Sequence, residues 1–291
     1  MNSAPAIAVA PRLPAVSRPL VARTRGGAHG GIVRLASPSD LGELIKPFVF
    51  LDAFDVDPAT APRFGWHPHS GIATVTVILE GRIGFAETTG RQGTLDAGGV
   101  EWMRAAGGVW HSGNMEGDRR VKGFQLWIAL GPELEGGPAQ SYYLNDADVP
   151  ADGPARVVLG RHGEAASRIP APAGINYLNV QLKAGERWTY QPPPGHNVAW
   201  IALQAGVVST PERVTAGELA VFNEGNGAIS FEALDAARFV LGSAVKHPHD
   251  LVLGHYSVHT SPRALAKGEA EIRRIARDLV AQGRLNAAGP I

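Results

Sequence analysis

Two histidines separated by one proline occur twice in this chain, in FGWHPHSG (residues 64–71) and in KHPHDL (residues 246–251). Neutral imidazole binds iron, copper, nickel or zinc, so either pair could be half of a metal site. A β-strand turns successive side chains to opposite faces, which places His67 and His69 on one side. Pro68 lacks a backbone donor and suits the start of a strand. A third imidazole, His111, lies in GGVWHSG, a glycine-rich strand edge one hairpin and one further strand away. Three such nitrogens at the mouth of a small barrel would hold a redox metal with positions open for substrate and dioxygen.

The second pair has no comparable company. His247 and His249 lead into LVLGHYSVHTSPR, with no long strand and no glycine-rich segment carrying a further histidine. His255 and His259 share one strand face and could join them, but a connection into the last helix is the plainer reading. No cysteine is present, which removes disulfides, thiolate ligands and cysteine nucleophiles. No phosphate-loop pattern and no Gly-x-Ser-x-Gly elbow occur.

Composition narrows the rest. The 291 residues carry 27 Lys and Arg against 27 Asp and Glu, so no basic excess favours nucleic acid or an anionic membrane surface. No apolar run reaches the roughly 20 residues that span a bilayer. The opening MNSAPAIAVAPRLPAVSRPL has no basic segment before an unbroken apolar stretch. A flexible arm over residues 1–24 is expected there, not a secretory signal. A cytoplasmic protein fits these features.

The elements that must position the histidines are short strands. The chain has 36 Gly and 22 Pro without a short repeat, which reads as many turns. Residues 47–56 form a strand and a loop. Residues 71–93 read as a hairpin whose first strand alternates Val75, Val77 and Leu79 with Thr74, Thr76 and Ile78. Three strand fragments follow over 93–113, and 121–130 is a strong strand. The second half has the same texture: VTVILEGRIGF resembles AWIALQAGVVS, and GTLDAGGVEWM resembles ERVTAGELAVF. Two copies of one all-β unit are therefore expected. Helical spacing appears over 268–285, through Ile272, Ile275, Ala276, Leu279 and Val280, with Gly283 as the stop. Trp66, Trp102, Trp110 and Met103 lie near the histidine segments, as barrel core or as the walls of a flat aromatic pocket.

The histidine pattern resembles the cupins, and more narrowly the two-cupin pirin family. PFVFLDAFDV, FGWHPHSGIATVTVILEGRI, GTLDAGGVEWMRAAGGVWHS, FQLWIAL and IRRIARDLVAQGRL carry the likeness, over roughly residues 28–285. The resemblance implies an all-β fold of two tandem cupin (double-stranded β-helix, jelly-roll) barrels plus a C-terminal helix. It implies a metal-binding barrel over 25–140, a barrel with a degenerate site over 141–260, and a helix and tail over 261–291. It also implies one divalent transition metal on His67, His69 and His111. Iron(II) is the first choice, with nickel, copper, manganese, cobalt and zinc as alternatives. The family's fourth ligand, a glutamate two residues after the last histidine, is Gly113 here, and another family glutamate is Ala73. Glu101 and Glu116 are the nearby carboxylates. The implied activity is ring-opening of a flavonol such as quercetin by dioxygen, with Glu101 taking the substrate's hydroxyl proton. The alternative is a non-catalytic, metal- or redox-sensing regulator. The partner is accordingly a small aromatic substrate or a protein, with no direct nucleic acid and no membrane.

Overall fold

A computed structural model describes residues 18–61 and 64–286. Two copies of one arrangement appear. In the first, a seven-stranded sheet runs in the order Gln140–Leu144, Val100–Arg104, Ile72–Glu80, Val121–Ala129, Phe48–Val56, Ile32–Ala36, Gly27–His29. It faces a four-stranded sheet ordered Phe64–His69, Val109–Glu116, Arg82–Glu87, Gln92–Asp96. In the second copy, the large sheet runs Leu20–Thr24, Leu219–Phe222, Val198–Ala205, Ala237–Ala244, Ile175–Leu182, Ala155–Leu159, Ala151–Asp152. Its small sheet runs Arg187–Tyr190, Ile229–Ala233, Val207–Thr210, Glu212–Thr215. The two sets correspond strand for strand, as the internal repeat requires.

The alternation in Ile72–Glu80 explains how the barrels join. Ala73, Val75, Val77 and Leu79 enter one apolar core with Trp102, Phe124 and Leu126, and with Tyr177, Trp200 and Val240 of the other half. That core lies between the two large sheets. The opposite face, with Thr74, Thr76 and Ile78, turns into the first barrel. The barrel interiors then differ. The second is filled by apolar side chains, among them Leu178, Tyr190, Ile201, Phe231 and Phe239. In the first, the apolar side chains fall into separate small clusters, one of them Phe54, Val56, Ile78, Ile83, Leu95 and Val121. Polar and imidazole side chains hold the rest.

Several expectations change. The strands on either side of Gly81 do not form a hairpin: Ile72–Glu80 belongs to the large sheet and Arg82–Glu87 to the small one. Gly81, at φ +77°, makes the corner at which the chain changes sheets. A Cβ there would sit 2.7 Å from the Arg120 carbonyl oxygen, so the corner is close-packed as well.

The arm expected over 1–24 lies outside the described residues up to 17. Beyond that it is ordered: Leu20–Thr24 pairs antiparallel with Leu219–Phe222 at the edge of the second barrel. Leu20 packs on that barrel's core, and Arg23 meets Glu212 and Glu218 at 3.3 and 3.0 Å. These partners lie some two hundred residues away in sequence, so no local pattern announces them.

The first barrel keeps its edge strand through Leu144, beyond the expected boundary at 140. The second barrel's last strand ends at Ala244, and Ser257–His259 returns to the first barrel, where Ser257 bridges Ser70. The helix spans Pro262–Ala281 and so begins earlier than residue 268. Ser261 caps it by accepting from the Ala264 amide, and Pro262 occupies its first turn. Gly283, at φ +67°, follows its end. Among the described residues, no helix is long and apolar enough to cross a membrane.

Candidate metal centre

His67 and His69 lie on Phe64–His69, and His111 lies on the neighbouring strand, directly opposite His67 in register. Their ring centroids are 4.3 to 5.2 Å apart. One ligand nitrogen from each ring falls within 4.8 Å of the others, the one group of this kind among the described residues.

Two of the rings have their second nitrogen hydrogen-bonded, and the third turns it toward a carboxylate. His67 Nδ1 lies 2.8 Å from the Gly65 carbonyl oxygen, and His69 Nδ1 lies 3.0 Å from that of Tyr256. A carbonyl only accepts, so both Nδ1 atoms carry the proton and both Nε2 lone pairs are free. His111 Nδ1 faces Glu101 Oε1 at 3.8 Å. Its Nε2 is buried without any hydrogen-bond partner. An orphaned acceptor of that kind costs free energy unless something occupies it, and an ion held by neutral imidazoles fits the donor set.

Burial and the neighbouring His111 push the His67 imidazole down to about 4. Burial, His111 and His67 push His69 well below its usual value. Burial also lowers His196, His247 and His259. In each case the unfolded chain takes up the proton first as pH falls. The stability these groups contribute is present above pH ~6.5 and is lost as pH falls toward 4. Urea midpoints of the metal-free protein are therefore expected to be flat from pH 8 to 7 and to drop steadily between 6.5 and 4.5. A midpoint unchanged across the lower interval would contradict buried neutral imidazoles.

The candidate carboxylates separate clearly. Glu101 is buried behind His111, on the side away from Nε2, and accepts from Thr76 Oγ1 at 2.5 Å. Burial raises its carboxyl, but His111 and the Thr76 hydroxyl outweigh that and hold it below the ordinary value. Glu116 sits at the far end of its strand, with Oε1 over Gly84, and does not join the trio. Alternation puts position 113 on the same face as His111, and a Cβ there would meet nothing nearer than the Gly84 carbonyl oxygen at 3.9 Å. That space is available, and this chain leaves it without a carboxylate.

Trp102, Trp110 and Met103 are at most 1% exposed and serve as core, so they do not wall a pocket. Trp110 donates its indole N–H to the Ile272 carbonyl, and Trp66 lies under Arg284. Other aromatics stand at the site. Trp127 meets His69 edge-on at 5.0 Å and stacks on Phe50 at 4.1 Å. Phe85 stacks on Tyr143 at 3.7 Å. The period-2 pattern of Val121–Ala129, which puts Gln125 and Trp127 on one face, was the signal for the first of these.

The C-terminal segment supplies parts that sequence reasoning missed. Tyr256, at φ +57°, has its ring 5.8 Å from His67 and 6.0 Å from His69. Behind it, His259 Nδ1 donates to Glu135 Oε2 at 3.0 Å, and Nε2 lies 3.0 Å from Ser70 Oγ. Ser70 is fully buried, so this hydroxyl–imidazole–carboxylate series is a lock beneath the helix and not a nucleophile. His247 and His249 have rings 5.2 Å apart and lie outside the trio. In the second barrel, Trp188 and Phe231 stack at 5.5 Å at the register position where the first barrel pairs His67 with His111.

Comparison with known proteins points one way. The Pirin family model matches residues 32–128. A pirin-like protein of Caulobacter vibrioides is 33% identical over 230 residues, which is 75% of this chain and 82% of that protein. A Pseudomonas aeruginosa protein provisionally named quercetin 2,3-dioxygenase is 32% identical, over 68% of this chain and 75% of its own. The crystal structure of a quercetin 2,3-dioxygenase from Acinetobacter baumannii superposes with a TM-score of 0.80 at 21% identity, covering 89% of this chain and 98% of that one. The nickel(II) complex of the bacterial pirin YhhW from Escherichia coli gives a TM-score of 0.60 at 19% identity, covering 76% of this chain and 95% of that one.

Proposed function

This chain belongs to the pirin family, and from that premise we propose that it binds one divalent transition metal and opens the ring of a flavonol such as quercetin with dioxygen. The observation that carries the metal reading is the buried, unpartnered Nε2 of His111 converging with the free nitrogens of His67 and His69. Iron(II) is the ion we assign, since imidazole suits it and the chemistry is redox. We place the protein in the cytoplasm.

A bound metal would supply a Lewis-acidic anchor for the substrate's oxygens and a route for electrons to dioxygen. The chain supplies the rest. Carbonyls of Gly65 and Tyr256 hold two imidazoles in the tautomer that presents Nε2. Trp127 and Phe85, backed by Phe50 and Tyr143, would offer apolar surface to a flat ring system. Gln125 lies on the barrel-facing side of the large sheet and would meet a hydroxyl group. Glu101 lies on the Nδ1 side of His111, so with Nε2 on the metal no proton path would run from a substrate hydroxyl through that ring, and the carboxylate would serve the ring's N–H.

Oxygen consumption with quercetin, with and without added iron(II), tests this reading. Metal-dependent uptake of oxygen is the expected result. No turnover with iron, nickel, copper, manganese or cobalt would overturn the enzymatic reading, and metal uptake without turnover would favour a metal-sensing regulator.

A further inference from the structure

We propose that Glu101 is the positioning carboxylate of the metal centre, orienting His111 from behind and supplying the negative charge that Gly113 does not. The assignment rests on the metal reading above. It comes from a row of side chains crossing the large sheet in one register: Arg34 opposite Asp52, Asp52 opposite Gln125, Gln125 opposite Thr76, Thr76 opposite Glu101, and Glu101 opposite Tyr143.

Three neighbouring pairs in this row are joined. Arg34 pairs with Asp52. Thr76 Oγ1 lies 2.7 Å from the Gln125 amide and 2.5 Å from Glu101 Oε2. A hydroxyl has one proton and a carboxylate only accepts, so the Thr76 proton goes to Glu101. The Gln125 amide, placed with Oε1 toward Thr76, meets that hydroxyl as a donor only if it is rotated to present its N–H. One carboxylate oxygen is thereby pinned, and the other is left facing His111 Nδ1 at 3.8 Å. That is about 1 Å beyond a hydrogen bond, and such contacts tighten when a site is filled.

The three imidazoles are therefore not equivalent. His67 and His69 lean on neutral carbonyls, whereas His111 leans on a carboxylate. A carboxylate behind a ligating imidazole fixes its orientation and raises its basicity. Glu101 is only 4% exposed, and a lone buried charge is costly unless a cation compensates it. Three neutral nitrogens leave a dication's charge wholly uncompensated, and Glu101 is placed to offset it. Glu87 is the rival: it is buried opposite His111, its Oε1 accepts from Tyr143 at 2.9 Å and its Oε2 is buried without a partner, but it is Glu101 that comes within 4 Å of a His111 nitrogen.

The test measures Co(II) affinity by competition with a chromophoric chelator, alongside the hyperfine-shifted ring N–H resonances of the Co(II)-loaded protein. Glu101→Gln is expected to weaken binding by roughly 10–100-fold and to move one of three exchangeable ring signals. Thr76→Val, which frees Glu101 without removing it, should weaken binding less and move the same signal. Adding Gly113→Glu to Glu101→Gln should recover most of the affinity, since position 113 has room for the side chain. Should Glu101→Gln fail to fold, Thr76→Val and its ring signal decide. Wild-type affinity and unchanged signals in both variants would overturn the assignment, as would a loss confined to Glu87→Gln. A wild-type chain that takes up no metal overturns the centre itself, and this assignment with it.

Discussion

Replacing His69 with alanine should abolish metal uptake. Its ring is 2% exposed and its Nδ1 proton is held by the Tyr256 carbonyl, so it has no alternative rotamer partner to exploit. The trio has no fourth protein ligand at Gly113 to compensate, and two imidazoles are a poor site for a dication. The loss should exceed the roughly 10–100-fold that outer-sphere changes cost. The measurement is metal content after loading and desalting, compared with wild type and with His247→Ala. His247 belongs to the second His-Pro-His and lies outside the cluster, so its variant should load normally. If His69→Ala retains wild-type metal while His247→Ala loses it, the centre has been placed in the wrong half of the chain.

Glu135→Ala should destabilise the protein more than any surface change and should also damage the metal site. Glu135 is 4% exposed and accepts three hydrogen bonds: from His259 Nδ1 at 3.0 Å, the Thr260 amide at 2.8 Å and Thr260 Oγ1 at 2.5 Å. Removing it strands one buried donor, His259 Nδ1, and two half-buried ones on Thr260, at a cost of about 3–5 kcal/mol. The same contacts hold the C-terminal strand pair whose Tyr256 carbonyl orients His69. Metal affinity should therefore fall about tenfold even where the protein remains folded. Urea denaturation of the metal-free protein gives the first number and chelator competition the second. A large stability loss with wild-type affinity would show that the C-terminal segment braces the fold without tuning the centre.

The comparison of the two His-Pro-His segments shows what local pattern can decide. Strand alternation placed His67 and His69 on one face, and the glycine-rich segment around His111 marked the partner. The same alternation sorted Val75 and Val77 from Thr74 and Thr76 into the shared core and the barrel interior. The repeat was legible because both halves place matching apolar runs at matching intervals. The hairpin over 71–93 misled for a physical reason: a glycine turn between two strands looks the same whether the chain pairs back on itself or crosses to the other sheet. For Trp102 and Trp110 local pattern leaves core and pocket wall open, because an aromatic residue beside a site has the same local signature as one in a core, and burial decides for the core.

Residue types and their spacing by themselves determined the strands, the duplicated barrel, the three converging imidazoles and the stop of the last helix, because each depends on side chains within one or two turns or strands of one another. What the tertiary structure alone decided lies at long separation. Leu20–Thr24 completes the second barrel's sheet, Tyr256 and Glu135 brace the first barrel's histidines, and Glu101 stands behind His111 and not beside the ion's position. Contacts of that kind come from how two barrels and a returning C-terminal segment pack. Packing is set by the sum of many weak burials across the chain, which no short stretch of sequence records.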